Sequence, residues 1–351
     1  MGDFFDIDGR KIGPGHPTYI IAEMSANHGH DYDEACRIVE AAAECGADAV
    51  KLQTYRADTM TIDSDKPPFQ IGEGTEWEGR QLFELYEDAY TPWDWQPKLK
   101  DLANDLGMDL FSTPFDETAV DFLEDMDVPA YKVASFEMTH LPLLEKIAAT
   151  GKPIIMSTGM ASLGEIDESV RTIRQVGDNS IILLKCTSAY PAPPEEANLA
   201  TIPHLAEAFG VHTGLSDHTL GTAVPVSAVT LGACVIEKHF IRDREAVESA
   251  DASFSLEPHE FSRMVDAVRT AEKAVGEVTY EVTESQEAST VFRRSVFAVE
   301  DIEAGEEFTR DNTRVIRPGY GLAPKHFDEV LGRRASEDIG RGTPIDWDDL
   351  T

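Results

Sequence analysis

Ile181-Ile182-Leu183-Leu184-Lys185-Cys186-Thr187-Ser188-Ala189-Tyr190 opens with four aliphatic residues in a row and then turns polar at once. An unbroken apolar run of that length fits a strand buried on both faces, as a parallel sheet covered by helices requires. Similar short runs recur on either side, so that candidate strands fall at 19–24, 49–54, 109–112, 130–133, 153–157, 181–185, 211–215 and 234–240. Helical patterns lie between them, for example at 33–45, 95–106, 119–125 and 142–149. Strands that each lead into a helix predict an α/β protein whose residues 1–280 form a (β/α)₈ TIM barrel. A doubly wound open sheet is the alternative, and the lack of Gly-x-Gly-x-x-Gly after the first strand weakens it.

The chain has 351 residues, and 30 basic against 65 acidic residues leave a formal charge of −35. That length predicts one large barrel-type domain and a small second one. The charge excludes nucleic acid or an anionic membrane as partner, since both call for a positive surface. Acids in such excess, with 12 Lys and 18 Arg, point to a salt-adapted, halophilic proteome. The excess acids are expected on the outer helices and the linker, away from the strand ends. Met1-Gly2-Asp3-Phe4-Phe5-Asp6 lacks the basic start and apolar run of a signal peptide. No stretch of about 18 apolar residues suggests a membrane span. Cys36, Cys45, Cys186 and Cys234 are scattered, which fits free thiols in a reducing cytoplasm.

One connection, 55–90, is too long for a spacer and carries Pro67-Pro68, Trp77, Phe83, Tyr86 and Tyr90. On the strand-to-helix face of a barrel such a loop predicts an active-site cover, although Trp77, Tyr86 and Trp93 could equally fill a core beneath it. Residues 281–292 read as a polar linker. Residues 293–351, with Val296-Phe297-Ala298-Val299, Arg317-Pro318-Gly319-Tyr320-Gly321 and Gly340-Arg341-Gly342, read as a small domain of brief strands and turns.

Polar residues at the ends of barrel strands are the functional candidates, and nearly every strand here ends in some. They are Glu23 with Asn27-His28, Lys51 and Gln53, Ser112-Thr113, Lys132 with Ser135 and Glu137, Ser157-Thr158, Thr187-Ser188 with Tyr190, Ser216-Asp217-His218, and Glu237-Lys238-His239. A lone Ser or Thr there usually caps a helix, and a lone His is usually structural. Lys51 and Lys132 on buried strands call for an anionic partner, so with the surrounding hydroxyls they form a candidate phosphate or carboxylate cradle. His218 and His239 fall on adjacent strands and leave positions open for water and substrate. With the acids Asp217, Glu237 and Glu23 nearby they predict a divalent metal, Mn²⁺ or Mg²⁺.

At these residues the chain resembles the sialic acid synthase family over essentially its whole length. The resemblance is carried by Ile21-Ala22-Glu23-Met24-Ser25-Ala26-Asn27-His28, Val50-Lys51-Leu52-Gln53-Thr54-Tyr55, Ser112-Thr113-Pro114-Phe115, Tyr131-Lys132-Val133-Ala134-Ser135, Ser157-Thr158-Gly159-Met160, Leu215-Ser216-Asp217-His218-Thr219 and Glu237-Lys238-His239-Phe240. It implies an enzyme that joins phosphoenolpyruvate to an open-chain amino sugar aldehyde, giving a nine-carbon 2-keto sugar acid and phosphate. It further implies that Lys51, Thr113, Lys132, Ser135, Ser157, Ser188 and Ser216 hold phosphoenolpyruvate. His218 and His239 would bind the metal, and Gln53, Glu137, Tyr190 and Asp251 would contact the sugar. Glu23, together with Glu237, is expected to handle the protons of the water that adds at C2.

Gly74-Thr75-Glu76-Trp77-Glu78-Gly79, the run from Leu85 to Trp93, Cys186-Thr187-Ser188-Ala189-Tyr190-Pro191 and Phe254-Ser255-Leu256 resemble the pseudaminic branch of the family. That implies 2,4-diacetamido-2,4,6-trideoxy-altrose as acceptor, with neuraminate or legionaminate chemistry as the alternative. Glu248-Ser249-Ala250 departs from the glycine pair usual in that branch before Asp251. The terminal module resembles an antifreeze-like (SAF) domain. This implies an active-site cover in a domain-swapped homodimer, with Arg317 touching the sugar.

Overall fold

The computed structural model describes residues 4–72, 77–247 and 249–351. The start of the chain, the Gly74-Thr75-Glu76 part of the branch motif, and Glu248 lie outside the described residues. Two compact units emerge, Met1–Gly276 and Glu277–Thr351.

The first unit begins with an antiparallel hairpin, β1 (Phe5–Ile7) and β2 (Arg10–Ile12). Eight parallel strands follow: β3 (Tyr19–Glu23), β4 (Ala49–Thr54), β5 (Asp109–Pro114), β6 (Tyr131–Val133), β7 (Ile154–Ser157), β8 (Ile181–Cys186), β9 (His212–Asp217) and β10 (Val235–His239). They pair in chain order, and β10 returns to β3 with Val235 opposite Tyr19 and His239 opposite Glu23, so the sheet closes. Closure rules out the open-sheet alternative. Every expected strand is present, with ends moved by a residue or two. The helices of this unit are α1 (Tyr32–Glu44), α2 (Ala57–Met60), α3 (Leu82–Ala89), α4 (Gln96–Asp105), α5 (Glu117–Asp125), α6 (Leu141–Ala149), α7 (Leu163–Val176), α8 (Thr201–Phe209), α9 (Ala223–Thr230) and α10 (Pro258–Val275).

Local chemistry explains where these helices begin. Asp31 accepts hydrogen bonds from the backbone N–H groups of Asp33 and Glu34 at the start of α1, and Ser162 and Glu165 cap each other's backbone at α7. Helix α10 buries Phe261, Met264, Val265, Val268 and Ala271, a stripe at three- and four-residue spacing. The outward strand residues Ile20, Ala22, Val50, Leu52, Leu110, Leu215 and Ile236 meet such stripes in one apolar cluster.

Alternation along each strand decides what the barrel interior holds. Tyr19 and Ile21 precede Glu23, Ala49 precedes Lys51 and Gln53, Ile155 precedes Ser157, and Val235 precedes Glu237 and His239. The interior is therefore largely apolar near the strand starts, where Asp109 takes the Tyr19 hydroxyl at 2.6 Å, and polar near their ends. The hairpin β1–β2 packs Phe5, Ile7 and Ile12 into the same cluster as Tyr19, Ile21 and Phe111. Arg10 bonds Asp48 and the Gly107 carbonyl there, so the N-terminal mouth is plugged. Gly214 of β9 must lack a side chain, because a Cβ would stand 2.7 Å from Leu184 and 2.9 Å from the Val235 Cβ.

The second unit carries the antiparallel strands β11 (Ser295–Ala298) and β12 (Thr313–Ile316), preceded by α11 (Glu284–Glu287) and followed by α12 (Phe327–Val330). Its core gathers Val296, Ile302, Phe308, Leu322, Val330, Ile339 and Ile345. No helix of the described residues is long and apolar enough to cross a membrane.

Candidate active site

A cavity of about 320 Å³ opens at the strand ends of the barrel, and residues from nearly all its strands or the loops after them line it. Lys51 and Lys132 form its floor, both fully buried. Lys51 Nζ lies 2.7 Å from Glu23 Oε2, 3.3 Å from Thr113 Oγ1 and 3.6 Å from Glu237 Oε1. Lys132 Nζ donates to Ser157 Oγ at 2.7 Å and to the Val133 carbonyl at 3.0 Å, and lies 3.7 Å from Glu237 Oε1. Burial lowers both ammonium pKa values; for Lys51 the Glu23 and Glu237 carboxylates outweigh it and the net shift is upward, whereas Lys132 ends low.

The acids divide by environment. Burial lifts Glu23 to about 7 against the pull of Lys51, and lifts Glu137 to about 7. Burial also acts on Glu237, but Lys132 and Lys51 win and its carboxyl stays below the usual range. A carboxyl raised to about 7 beside one held below the usual range is the pattern of a proton-exchanging group and a fixed charge. The lining contains four carboxyls (Glu23, Glu137, Glu237, Asp251) against Lys51 and Lys132. These are the four acids expected in the site from sequence, and burial raises the carboxyls of Glu23, Glu137 and Asp251.

His218 and His239 stand with ring centroids 5.4 Å apart. His218 Nδ1 faces the Thr187 carbonyl at 2.9 Å, which leaves Nε2 for another partner. His239 is driven well below its ordinary value by burial and by His218, so its ring is neutral, and its buried Nδ1 has no hydrogen-bond partner. Glu137 Oε2 and Glu237 Oε2 are likewise buried without one. Unsatisfied buried atoms around one cavity suit a bound polar ligand. A cation between the two rings needs both imidazoles unprotonated, yet against its burial Cys186 and the Thr187 carbonyl raise His218; among the described residues no third His, Cys, Asp or Glu joins them in a metal-holding group.

Of the residues expected from sequence, Glu23, Lys51, Gln53, Lys132, Ser135, Glu137, Ser157, Tyr190, Ser216, His218, Glu237, His239 and Asp251 all line this cavity. Thr113 sits just behind, fully buried against Lys51. Ser135 Oγ accepts from the Gly159 N–H at 3.0 Å, and a Cβ on Gly159 would collide with the hydroxyls of both Ser135 and Ser188. Arg317 belongs to the second unit, exposed just after β12. Trp77 and Tyr86 of the long connection line the cavity. Trp93 does not: it bonds the Tyr55 carbonyl and stacks on Phe122 and Arg56.

Residues 38–280 match the profile of the NeuB family, and residues 293–351 that of the SAF domain. The chain belongs to the NeuB family. It is 43% identical over 335 residues to the pseudaminic acid synthase of Helicobacter pylori, spanning 95% of this chain and 98% of that one. Identity to the pseudaminic acid synthase of Campylobacter jejuni strain 81-176 is 44% over 333 residues, or 95% and 96%. The solved structure of the Bacillus subtilis spore coat polysaccharide biosynthesis protein spsE superposes with a TM-score of 0.67 at 37% identity, covering 99% of both chains.

One expectation about this NeuB-family site is corrected by strand alternation. Asp217 follows the inward Ser216 and therefore points outward, where it pairs with the buried Lys238 at 2.7 Å and caps Thr219. It is not beside the histidines' open faces, so it adds nothing to a cation site. His28 is also structural. It bonds Thr91, packs on Trp95, and is held near 4 by burial.

Sequence reasoning assigned no role to Ser25 and Cys186, and gave Asn27 only as a polar candidate at a strand end. Ser25, at φ +45°, receives Gln53 Nε2 at 2.8 Å and donates to Asp251. Asn27 holds the Phe240 carbonyl and Ser255 Oγ at 2.9 and 2.8 Å, and Ser249 donates to it. These two residues tie the loop that carries Asp251 to the first barrel strand. Cys186 approaches His218 at 3.9 Å; burial raises its thiol, but His218 and Lys132 bring it down to about 7.

Proposed function

We propose that this chain is a pseudaminic acid synthase-like enzyme, which condenses phosphoenolpyruvate with 2,4-diacetamido-2,4,6-trideoxy-altrose. The observation that carries it is the pair of buried lysines, Lys51 and Lys132, set among hydroxyls at the cavity floor with two histidines and a near-neutral Glu23 beside them. Its similarity to the pseudaminic acid synthases supports the acceptor.

Lys51, Lys132, Thr113, Ser135, Ser157, Ser188 and Ser216 hold the carboxylate and phosphate of phosphoenolpyruvate, and fix its C3 toward the sugar. Gln53, Glu137, Tyr190 and Asp251 orient the open-chain aldehyde. His218 and His239 would hold a divalent cation, manganese or magnesium, which would polarise the aldehyde oxygen. Attack by C3 forms the carbon–carbon bond, pushes the carbonyl electron pair onto the aldehyde oxygen, which takes up a proton to become a hydroxyl, and leaves C2 electron-poor. Water then adds at C2 and Glu23, poised near 7, takes its proton. Collapse of the resulting hemiketal phosphate breaks the C2–O bond and releases phosphate. Glu237, kept ionised by the two lysines, offsets the charge that develops at C2.

The same reading places the protein in the cytoplasm of a salt-adapted cell. It also makes it a domain-swapped homodimer in which Arg317 reaches the partner's sugar site. The test is phosphate release from phosphoenolpyruvate with manganese and a panel of amino sugars. Release with the diacetamido-trideoxy-altrose, lost on chelation, is expected. Release with N-acetylmannosamine instead moves the chain to the neuraminate branch, and release without any sugar defeats the synthase assignment.

A further inference from the structure

The cavity has two chemically different sides. Lysines, carboxyls, hydroxyls and imidazoles make one. The other comes mostly from the connection between β4 and α4, where Met60, Ile71, Trp77, Leu82 and Leu85 line the space and Phe115 after β5 continues it. Trp77 has a single polar side-chain atom, and Nε1 already donates to the Ala250 carbonyl at 3.0 Å. Its ring, 5.6 Å from that of Tyr190, therefore meets the cavity as hydrocarbon. The aliphatic neighbours offer no strong donor or acceptor. Leu85 is buried in its own packing, but Ile71, Trp77 and Leu82 remain half-buried, so apolar surface is left facing the cavity. Tyr55 and Tyr86 mark the border with the polar side, where Tyr86 feels the Glu137 carboxyl.

We propose that this wall receives the deoxygenated, methyl-bearing end of the acceptor aldehyde, and that Ile71, Trp77 and Leu82 set the preference for a deoxy amino sugar over its hydroxylated counterpart. The inference rests on the synthase reading above. A hydroxyl or phosphate turned toward this wall loses its water and finds no partner, whereas a methyl group gains by burial. Trp77 also links the wall to the loop of Asp251, so the apolar and polar contacts to one sugar are set by a single arrangement of loops.

The test compares two acceptors in phosphate release by the full-length protein with manganese and phosphoenolpyruvate: 2,4-diacetamido-2,4,6-trideoxy-altrose, and the same sugar with a hydroxymethyl in place of the methyl. We expect kcat/KM to favour the deoxy sugar by about 10- to 100-fold, mostly through KM. Leu82→Asn and Ile71→Asn should each cut that preference about tenfold and leave the KM for phosphoenolpyruvate unchanged, so either folded variant suffices. Equal kcat/KM for the two sugars, or a preference untouched in both variants, overturns the wall while leaving the synthase standing. Phosphate release with N-acetylmannosamine alone overturns the wall and the pseudaminic assignment together and moves the chain to the neuraminate branch.

Discussion

Gly159 shows how tightly single residues are constrained around the cradle. Its N–H donates to Ser135 Oγ, and a Cβ there would stand 2.7 Å from that oxygen and against Ser188. Gly159→Ala should displace both hydroxyls and lower kcat/KM for phosphoenolpyruvate by roughly 10- to 100-fold, with the melting temperature nearly unchanged. Steady-state kinetics with wild-type values would contradict that placement. Glu137 makes a thermodynamic prediction of the opposite kind. Burial raises its carboxyl from 4.5 to about 7, so the folded state holds the proton more tightly than the unfolded chain. Its stabilising contribution is therefore complete below about 4.5 and is lost as pH rises toward 7. Glu137→Gln should flatten the decline in stability across that window, and denaturant titrations at pH 5 and 7.5 read the difference. Equal slopes for the two proteins would refute a buried, proton-holding Glu137.

Among the elements, the hairpin β1–β2 carries the clearest structural prediction. Ile12 is fully buried in the cluster that plugs the barrel's N-terminal mouth, far from the chemistry at the strand ends. Ile12→Ala should cost about 2–5 kcal/mol in urea unfolding and leave activity per folded molecule unchanged. Loss of activity without loss of stability would mean the hairpin does more than plug. This hairpin was not legible in the sequence, because Phe5-Asp6-Ile7 and Arg10-Lys11-Ile12 are too short for a periodic signal. The barrel strands were legible because burial on both faces writes them as unbroken apolar runs, Ile181 to Leu184 above all. The cavity residues were legible for a related reason: polar groups at the ends of such runs have few structural uses. Asp217 was misplaced because its type was weighed before its parity on the strand. The bond between Ser25 and Asp251 was beyond reach, since it joins residues 226 positions apart through a loop whose course the sequence does not state.

At the scale of the whole molecule the charge of −35 takes on a narrower meaning. The cavity is not a positive island, for its lysines are matched by Glu23 and Glu237 within 4 Å. Under the proposed function, an anionic substrate would be admitted there by burial-raised carboxyls beside the two lysines rather than by an excess of positive charge. Acids elsewhere, such as the exposed Glu281, Glu284 and Glu287 at the start of the second unit, repel one another in low salt. The unfolding midpoint should thus rise with potassium chloride, and equal stability in low and molar salt would defeat the salt-adaptation reading. In the proposed condensation, phosphoenolpyruvate loses phosphate by carbon–oxygen cleavage. That cleavage is tested most directly with phosphoenolpyruvate labelled with heavy oxygen in the bridge between C2 and phosphorus. With the diacetamido-trideoxy-altrose present, mass spectrometry should find the label in the released phosphate and a nine-carbon keto acid without it. Unlabelled phosphate, or labelled phosphate without the nine-carbon product, would contradict the account.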